Sequence, residues 1–155
     1  DPSLNETTVP EGIQAASSLT ELLQISDVLS LHIPLTAKTR NLIGAEQLAL
    51  LGPDGIVINT ARGGIIDETA LVAALRKKEL FGAGLDAMLQ EPPLPGSPLF
   101  DLPNVVLTPH MGGSTDESLA AVAEAAVGNV LTFLRGETVQ PSLCVNPDVL
   151  GVASL

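Results

Sequence analysis

Polar and apolar positions along the chain fall into short alternating blocks. Asp1 to Ala16 is polar, carries Pro2, Pro10 and Gly12, and reads as loop. Ser18 can cap a helix that begins Leu19-Thr20-Glu21-Leu22-Leu23. Asp27 to Ile33 reads as a strand stopped by Pro34, and Gly44 to Leu51 as a helix broken by Gly52-Pro53-Asp54-Gly55. Gly55-Ile56-Val57-Ile58-Asn59-Thr60 is a continuous apolar run of the kind found in strands covered on both faces of a parallel sheet. A helix from about Asp67 to Lys78 follows, with Leu71, Ala74 and Leu75 on one stripe and a basic last turn that suits the helix dipole. Leu80 to Leu85 and Val105 to Leu107 read as two more strands, separated by a loop stiffened by Pro92, Pro93, Pro95 and Pro98. An Ala-rich helix is predicted over Ser114 to Arg135, and Gly136 to Leu155 reads as irregular.

Strands alternating with helices predict βαβ units and a parallel, doubly wound α/β sheet. Such sheets bind ligands beyond the C-terminal ends of their strands. That rule selects Pro34 to Thr36, Ala61 to Gly64, Asp86 and Pro109 to Gly113. Arg62 follows a buried strand and precedes two glycines; it either ties down the turn or offers its fork to a carboxylate. His110 is either bonded to backbone or functional, whereas His32, inside an apolar strand, is assigned to structure. Glu91 lies in the proline loop, where a glutamate is ordinarily solvated, and Asp86 either caps the next turn or faces a ligand.

Composition narrows the function classes. Net charge is −11, only seven residues are Lys or Arg, and there is no Trp or Tyr and just three Phe. A nucleic-acid binder needs a basic stripe and stacking platforms, so no nucleic-acid partner is expected. An anionic membrane surface would repel the chain, and its sequence shows no evident signal peptide or bilayer-spanning run. The single cysteine, Cys144, cannot form an internal disulfide, no Cys/His cluster has metal-ligand spacing, and a reducing cytoplasm is the expected compartment.

Val57-Ile58-Asn59-Thr60-Ala61-Arg62-Gly63-Gly64-Ile65-Ile66-Asp67-Glu68 resembles the signature around the substrate-binding arginine of D-2-hydroxyacid dehydrogenases. Four other segments match that family in the same order: Ser26 to Thr36, Gly82-Ala83-Gly84-Leu85-Asp86, Gln90-Glu91-Pro92-Pro93 and Leu107-Thr108-Pro109-His110. The resemblance implies a Rossmann-like NAD-binding domain, incomplete at its N-terminus, over residues 1–112. It implies a crossing helix and C-terminal tail returning to a substrate domain over 113–155. It also implies a catalytic set: Arg62 binds the substrate carboxylate and polarises the 2-oxo group, His110 is the general acid/base, and Glu91 bonds the other imidazole nitrogen and fixes the tautomer. Thr60, Ala61, Arg62, Asp86, His110, Gly112 and Gly113 are implied to contact NAD, with Asp86 near the nicotinamide carboxamide. Asp1 is implied to bond the adenosine ribose hydroxyls, which favours NAD over NADP.

His110-Met111-Gly112-Gly113-Ser114-Thr115-Asp116-Glu117-Ser118 and Val145 to Leu150 look most like the D-3-phosphoglycerate dehydrogenase branch, an oxidoreductase of serine biosynthesis. Glyoxylate/hydroxypyruvate and D-lactate reductases, and a non-catalytic NAD-sensing corepressor on the same fold, are the alternatives. The implied partners are a small 2-hydroxy or 2-oxo acid and a second copy in a homodimer. The family's N-terminal substrate-binding segment and its Gly-x-Gly-x-x-Gly turn do not occur in this sequence. The 155 residues are therefore expected to be part of a catalytic unit, with two exposed sheet sections and no activity on their own.

Overall fold

A computed structural model of the chain describes residues 9 and 11–146. They divide between two compact units, Asp1–Gly112 and Gly113–Leu155, and each is described by itself. The first unit runs α1 (Leu19–Ile25), β1 (Val28–Leu31), α2 (Ala45–Leu51), β2 (Ile56–Asn59), α3 (Glu68–Lys77), β3 (Gly82–Leu85), a 3-10 turn (Pro98–Asp101) and β4 (Val105–Leu107). The four strands form one parallel sheet in the order β1-β2-β3-β4. This is a single contiguous sheet rather than two sections, because each crossover lays the next strand beside the last.

Local chemistry sets the element ends. Ser18 caps α1 by accepting the Glu21 N–H, and Asp67 caps α3 by accepting the Thr69 and Ala70 N–H groups. The Gln47 side chain accepts the Gly44 N–H at the start of α2. The strands are shorter than their apolar runs predict. His32 lies beyond β1, and Leu80 is buried in the turn ahead of β3.

One face of the sheet carries the core. Leu29, Leu31, Val57, Ala83 and Leu85 pack with Leu23 of α1, Leu48 and Leu51 of α2, and Leu71, Val72 and Leu75 of α3. Each buried aliphatic side chain of this kind contributes roughly 1.5–3 kcal/mol. On the opposite face Val28, Ser30 and Val106 are exposed, and Ile56, Ile58 and Gly84 half-buried. The polar ligand-side residues are thereby left to the strand ends.

In the second unit, α4 spans Asp116–Leu134, with Thr115 accepting the Ser118 N–H at its start. A short 3-10 turn, Pro141–Leu143, interrupts the tail read as irregular. By length and composition α4 could cross a membrane, which corrects the expectation that no apolar run is long enough. Glu124 lies in its middle, and a carboxylate at mid-bilayer is costly, so length and composition alone make no membrane assignment.

Candidate active site

The C-terminal ends of β1 and β2 open onto a cleft of about 470 Å³ lined by His32, Ile33, Pro34, Leu35, Thr60, Ala61 and Arg62. This is where ligands bind in an open parallel sheet. The walls combine apolar Ile33, Pro34, Leu35 and Ala61 with polar Thr60 and Arg62, a lining that suits a flat heteroaromatic ring bearing an amide. The residues present therefore fit the nicotinamide end of a dinucleotide. His32, assigned to structure from its apolar surroundings, is exposed on this cleft, with Nε2 2.8 Å from Ser30 Oγ.

The turn after β2 presents Arg62. Gly64 has φ +82, a conformation that favours glycine, and the turn is tied back by Asn41 N–H to Gly64 O (2.8 Å) and Ile43 N–H to Ile65 O (3.1 Å). The Arg62 guanidinium is exposed and, among the described residues, donates only to Ala61 O at 2.6 Å. Gly63 packs directly on the next loop: a Cβ there would lie 1.8 Å from Met88 O.

The loops after β3 and β4 bring a second pair together. His110 Nδ1 lies 2.6 Å from Glu91 Oε2, and Glu91 Oε1 accepts the Met88 N–H at 2.8 Å. The hydrogen bond from His110, with the Met88 N–H adding to it, holds the Glu91 carboxyl below the usual carboxylate range despite partial burial. An ionised carboxylate only accepts, so His110 Nδ1 is the donor and Nε2 is left as the exchangeable nitrogen. Glu91, read from its loop alone as solvated, is instead bound on both oxygens.

His110 itself has φ +52, which a non-glycine residue adopts rarely and at a cost of order 1–3 kcal/mol. Asp86 holds it there. Its buried carboxylate accepts Thr108 Oγ1–H (2.5 Å) and Met111 N–H (2.9 Å) on Oδ1, and Gly112 N–H (2.8 Å) on Oδ2. The Thr108 hydroxyl first, and then the two amides, keep the Asp86 carboxyl below its ordinary range. Both oxygens thus bind the loop on either side of His110.

Among the other residues singled out in the sequence, Thr60 and Ala61 line the cleft and Gly112 donates to Asp86. Gly113 falls in the second unit, and Asp1 lies outside the described residues. Asn59 was not singled out. It is 2% exposed and links the Arg62 turn to Ala87. The one sequence signal for it is an amide side chain closing a run of otherwise apolar residues.

Comparison with known proteins agrees with this architecture. Residues 1–112 match the model of the D-isomer specific 2-hydroxyacid dehydrogenase, NAD binding domain. The chain is 48% identical over 132 residues to glyoxylate/hydroxypyruvate reductase B of Pectobacterium carotovorum, covering 85% of this chain and 41% of that protein. It is 41% identical over 138 residues to D-3-phosphoglycerate dehydrogenase of Methanocaldococcus jannaschii, covering 88% of this chain and 26% of that protein. A solved NADPH-dependent glyoxylate/hydroxypyruvate reductase from Sinorhizobium meliloti, in complex with NADP and malonate, superposes with a TM-score of 0.74 at 35% identity, covering 82% of this chain and 40% of that one. The fold and the matched span define a dinucleotide-binding domain of the oxidoreductase type. The chain belongs to the D-isomer specific 2-hydroxyacid dehydrogenase family. It spans about two-fifths of the length of the reductases it matches.

Proposed function

We propose that this chain carries the nicotinamide-side half of a dehydrogenase that interconverts a 2-oxo acid and a D-2-hydroxy acid. The observation that carries the reading is the Glu91–His110 pair, 2.6 Å apart, with the loop of Glu91 packed against the turn of Arg62. The lining of the β1/β2 cleft would hold the nicotinamide end of NAD(H), which would supply or accept the hydride when bound. Arg62 binds the substrate carboxylate and polarises C2=O through charge-assisted hydrogen bonds. In reduction His110 Nε2 gives a proton to the forming alkoxide, and in oxidation it takes that proton from the hydroxyl. Glu91 accepts Nδ1–H throughout, so that only Nε2 exchanges protons.

The substrate we propose is a small 2-oxo acid of the glyoxylate or hydroxypyruvate class. Relatives of that activity match at 48% identity against 41% for the D-3-phosphoglycerate dehydrogenase. The phosphoglycerate reading drawn from the stretch after His110 is thereby the less supported of the two. For the cofactor we propose NAD, on the family resemblance that implies Asp1 as the ribose partner: a carboxylate there would accept from the 2′-hydroxyl and repel a 2′-phosphate. A homodimer remains the proposed assembly. The test is NADH oxidation by the full-length protein with glyoxylate, hydroxypyruvate and phosphohydroxypyruvate in parallel. Faster turnover of the unphosphorylated acids is expected; turnover confined to phosphohydroxypyruvate overturns the substrate assignment.

A further inference from the structure

We propose that Asn59 is a positioning residue whose buried side-chain amide holds the Arg62 turn and the Glu91 loop in register. The inference rests on the hydride-transfer reading above and adds a residue to it. Asn59 ends β2 on the helix-covered face of the sheet, among Leu31, Val57 and Leu85, where an apolar side chain is the norm. Its hydrogen-bonding capacity is spent on the two loops. Nδ2 donates to Arg62 O at 3.0 Å and to Ala87 O at 3.1 Å, and Oδ1 accepts the Ala61 N–H at 3.1 Å. Its backbone carbonyl accepts from Asp86 N and Ala87 N as well, at 2.9 and 3.2 Å.

Two further contacts continue the seam that Asn59 begins. Gly63 lies flush against the Met88 peptide, and a Cβ would overlap it. The Glu68 carboxylate, in the first turn of α3, accepts the Leu89 N–H. Asn59, Gly63 and Glu68 thus face Ala87, Met88 and Leu89 in unbroken order, and Met88 N–H passes directly to Glu91. A strand-end asparagine serving its own turn would bond only Ala61 and Arg62. The bond to Ala87, 28 residues away, is what couples the substrate-side arginine to the carboxylate that orients the histidine.

Asn59→Asp keeps the side-chain size but replaces two donated hydrogens with a carboxylate facing two carbonyls. In the full-length protein, this variant is expected to bind NADH within about threefold of wild type and to lose about 10–100-fold in kcat/KM for the 2-oxo acid, because a small displacement of reacting groups is costly. KM is expected to rise as well as kcat to fall, because the Arg62 turn moves. The acid limb of the pH profile is expected to shift upward as Glu91 leaves His110. A folded variant with kcat, KM and acid limb all within about twofold of wild type overturns the proposal. If Asn59→Asp does not bind NADH, Glu68→Ala carries the test. With NADH binding kept, a loss of about fivefold or more in kcat/KM supports the seam, and a smaller change overturns it. If the wild type turns over no 2-oxo acid, the hydride reading fails by itself. The seam is then read from hydrogen exchange of residues 86–91. Faster exchange in either variant than in wild type supports it, and equal protection in both overturns it.

Discussion

His110 Nδ1 donates to Glu91 Oε2 across 2.6 Å, joining loops that follow two different strands. The bond commits one imidazole nitrogen and leaves the other without a partner among the described residues, which is the division a general acid/base needs. Replacing His110 with Ala is expected to lower kcat by about a hundred- to ten-thousandfold while leaving NADH affinity largely intact. Steady-state kinetics paired with calorimetric NADH titration separates the two effects.

Glu91→Gln keeps an acceptor for Nδ1 but removes the negative charge. An amide can also turn its NH₂ toward the ring, so tautomer control is lost as well as charge. The expected result is a fall in kcat of about tenfold or more with little change in the KM for NADH. Equal kcat in wild type and variant would show that the pair is structural.

Asp86 and Glu91 both have carboxyls lowered by bonds that exist only in the folded chain. A lowered folded value means stability that is present above the ordinary carboxylate range and is lost as pH falls through the folded value. Asp86→Asn should therefore lower the melting temperature near neutral pH, and the gap from wild type should close in acid. Melting curves across that range check it, and a gap that stays constant with pH contradicts it.

Gly63→Ala places a methyl against the Met88 carbonyl, and backbone cannot step aside as a flexible side chain can. A destabilisation of about 1–3 kcal/mol or more is expected, measurable by denaturant unfolding. Arg62→Ala, in the same turn, is exposed and should leave stability nearly unchanged. Its expected cost is about 10²–10³-fold in kcat/KM for the 2-oxo acid.

Much of the first unit was legible in the sequence because its signals are local. Ser18 and Asp67 mark helix starts with their own side chains, and the run Ile56-Val57-Ile58 marks a strand by lying inside the sheet. Strand ends were less legible, since where β1 stops depends on neighbouring strands. Arg62, Glu91 and His110 were singled out through the order of five motifs, whereas each alone left a structural reading open. Three features stayed hidden. The left-handed backbone of His110 is held by Asp86 at the end of the neighbouring strand. Asn59 reveals its role only through Ala87. The exposure of His32 on the cleft goes with β1 ending at Leu31, two residues earlier than the apolar run suggests.

In the proposed reaction Arg62 holds the 2-oxo acid and the His110–Glu91 pair moves the proton while hydride passes between NADH and that acid. Loss of NADH absorbance after adding glyoxylate or hydroxypyruvate to the full-length protein, with the His110→Ala variant alongside, tests it most directly. Rapid consumption by the wild type, with a loss of about a hundredfold or more in a variant that still binds NADH, is the expected result. No consumption by the wild type, or equal rates in both proteins, would contradict it.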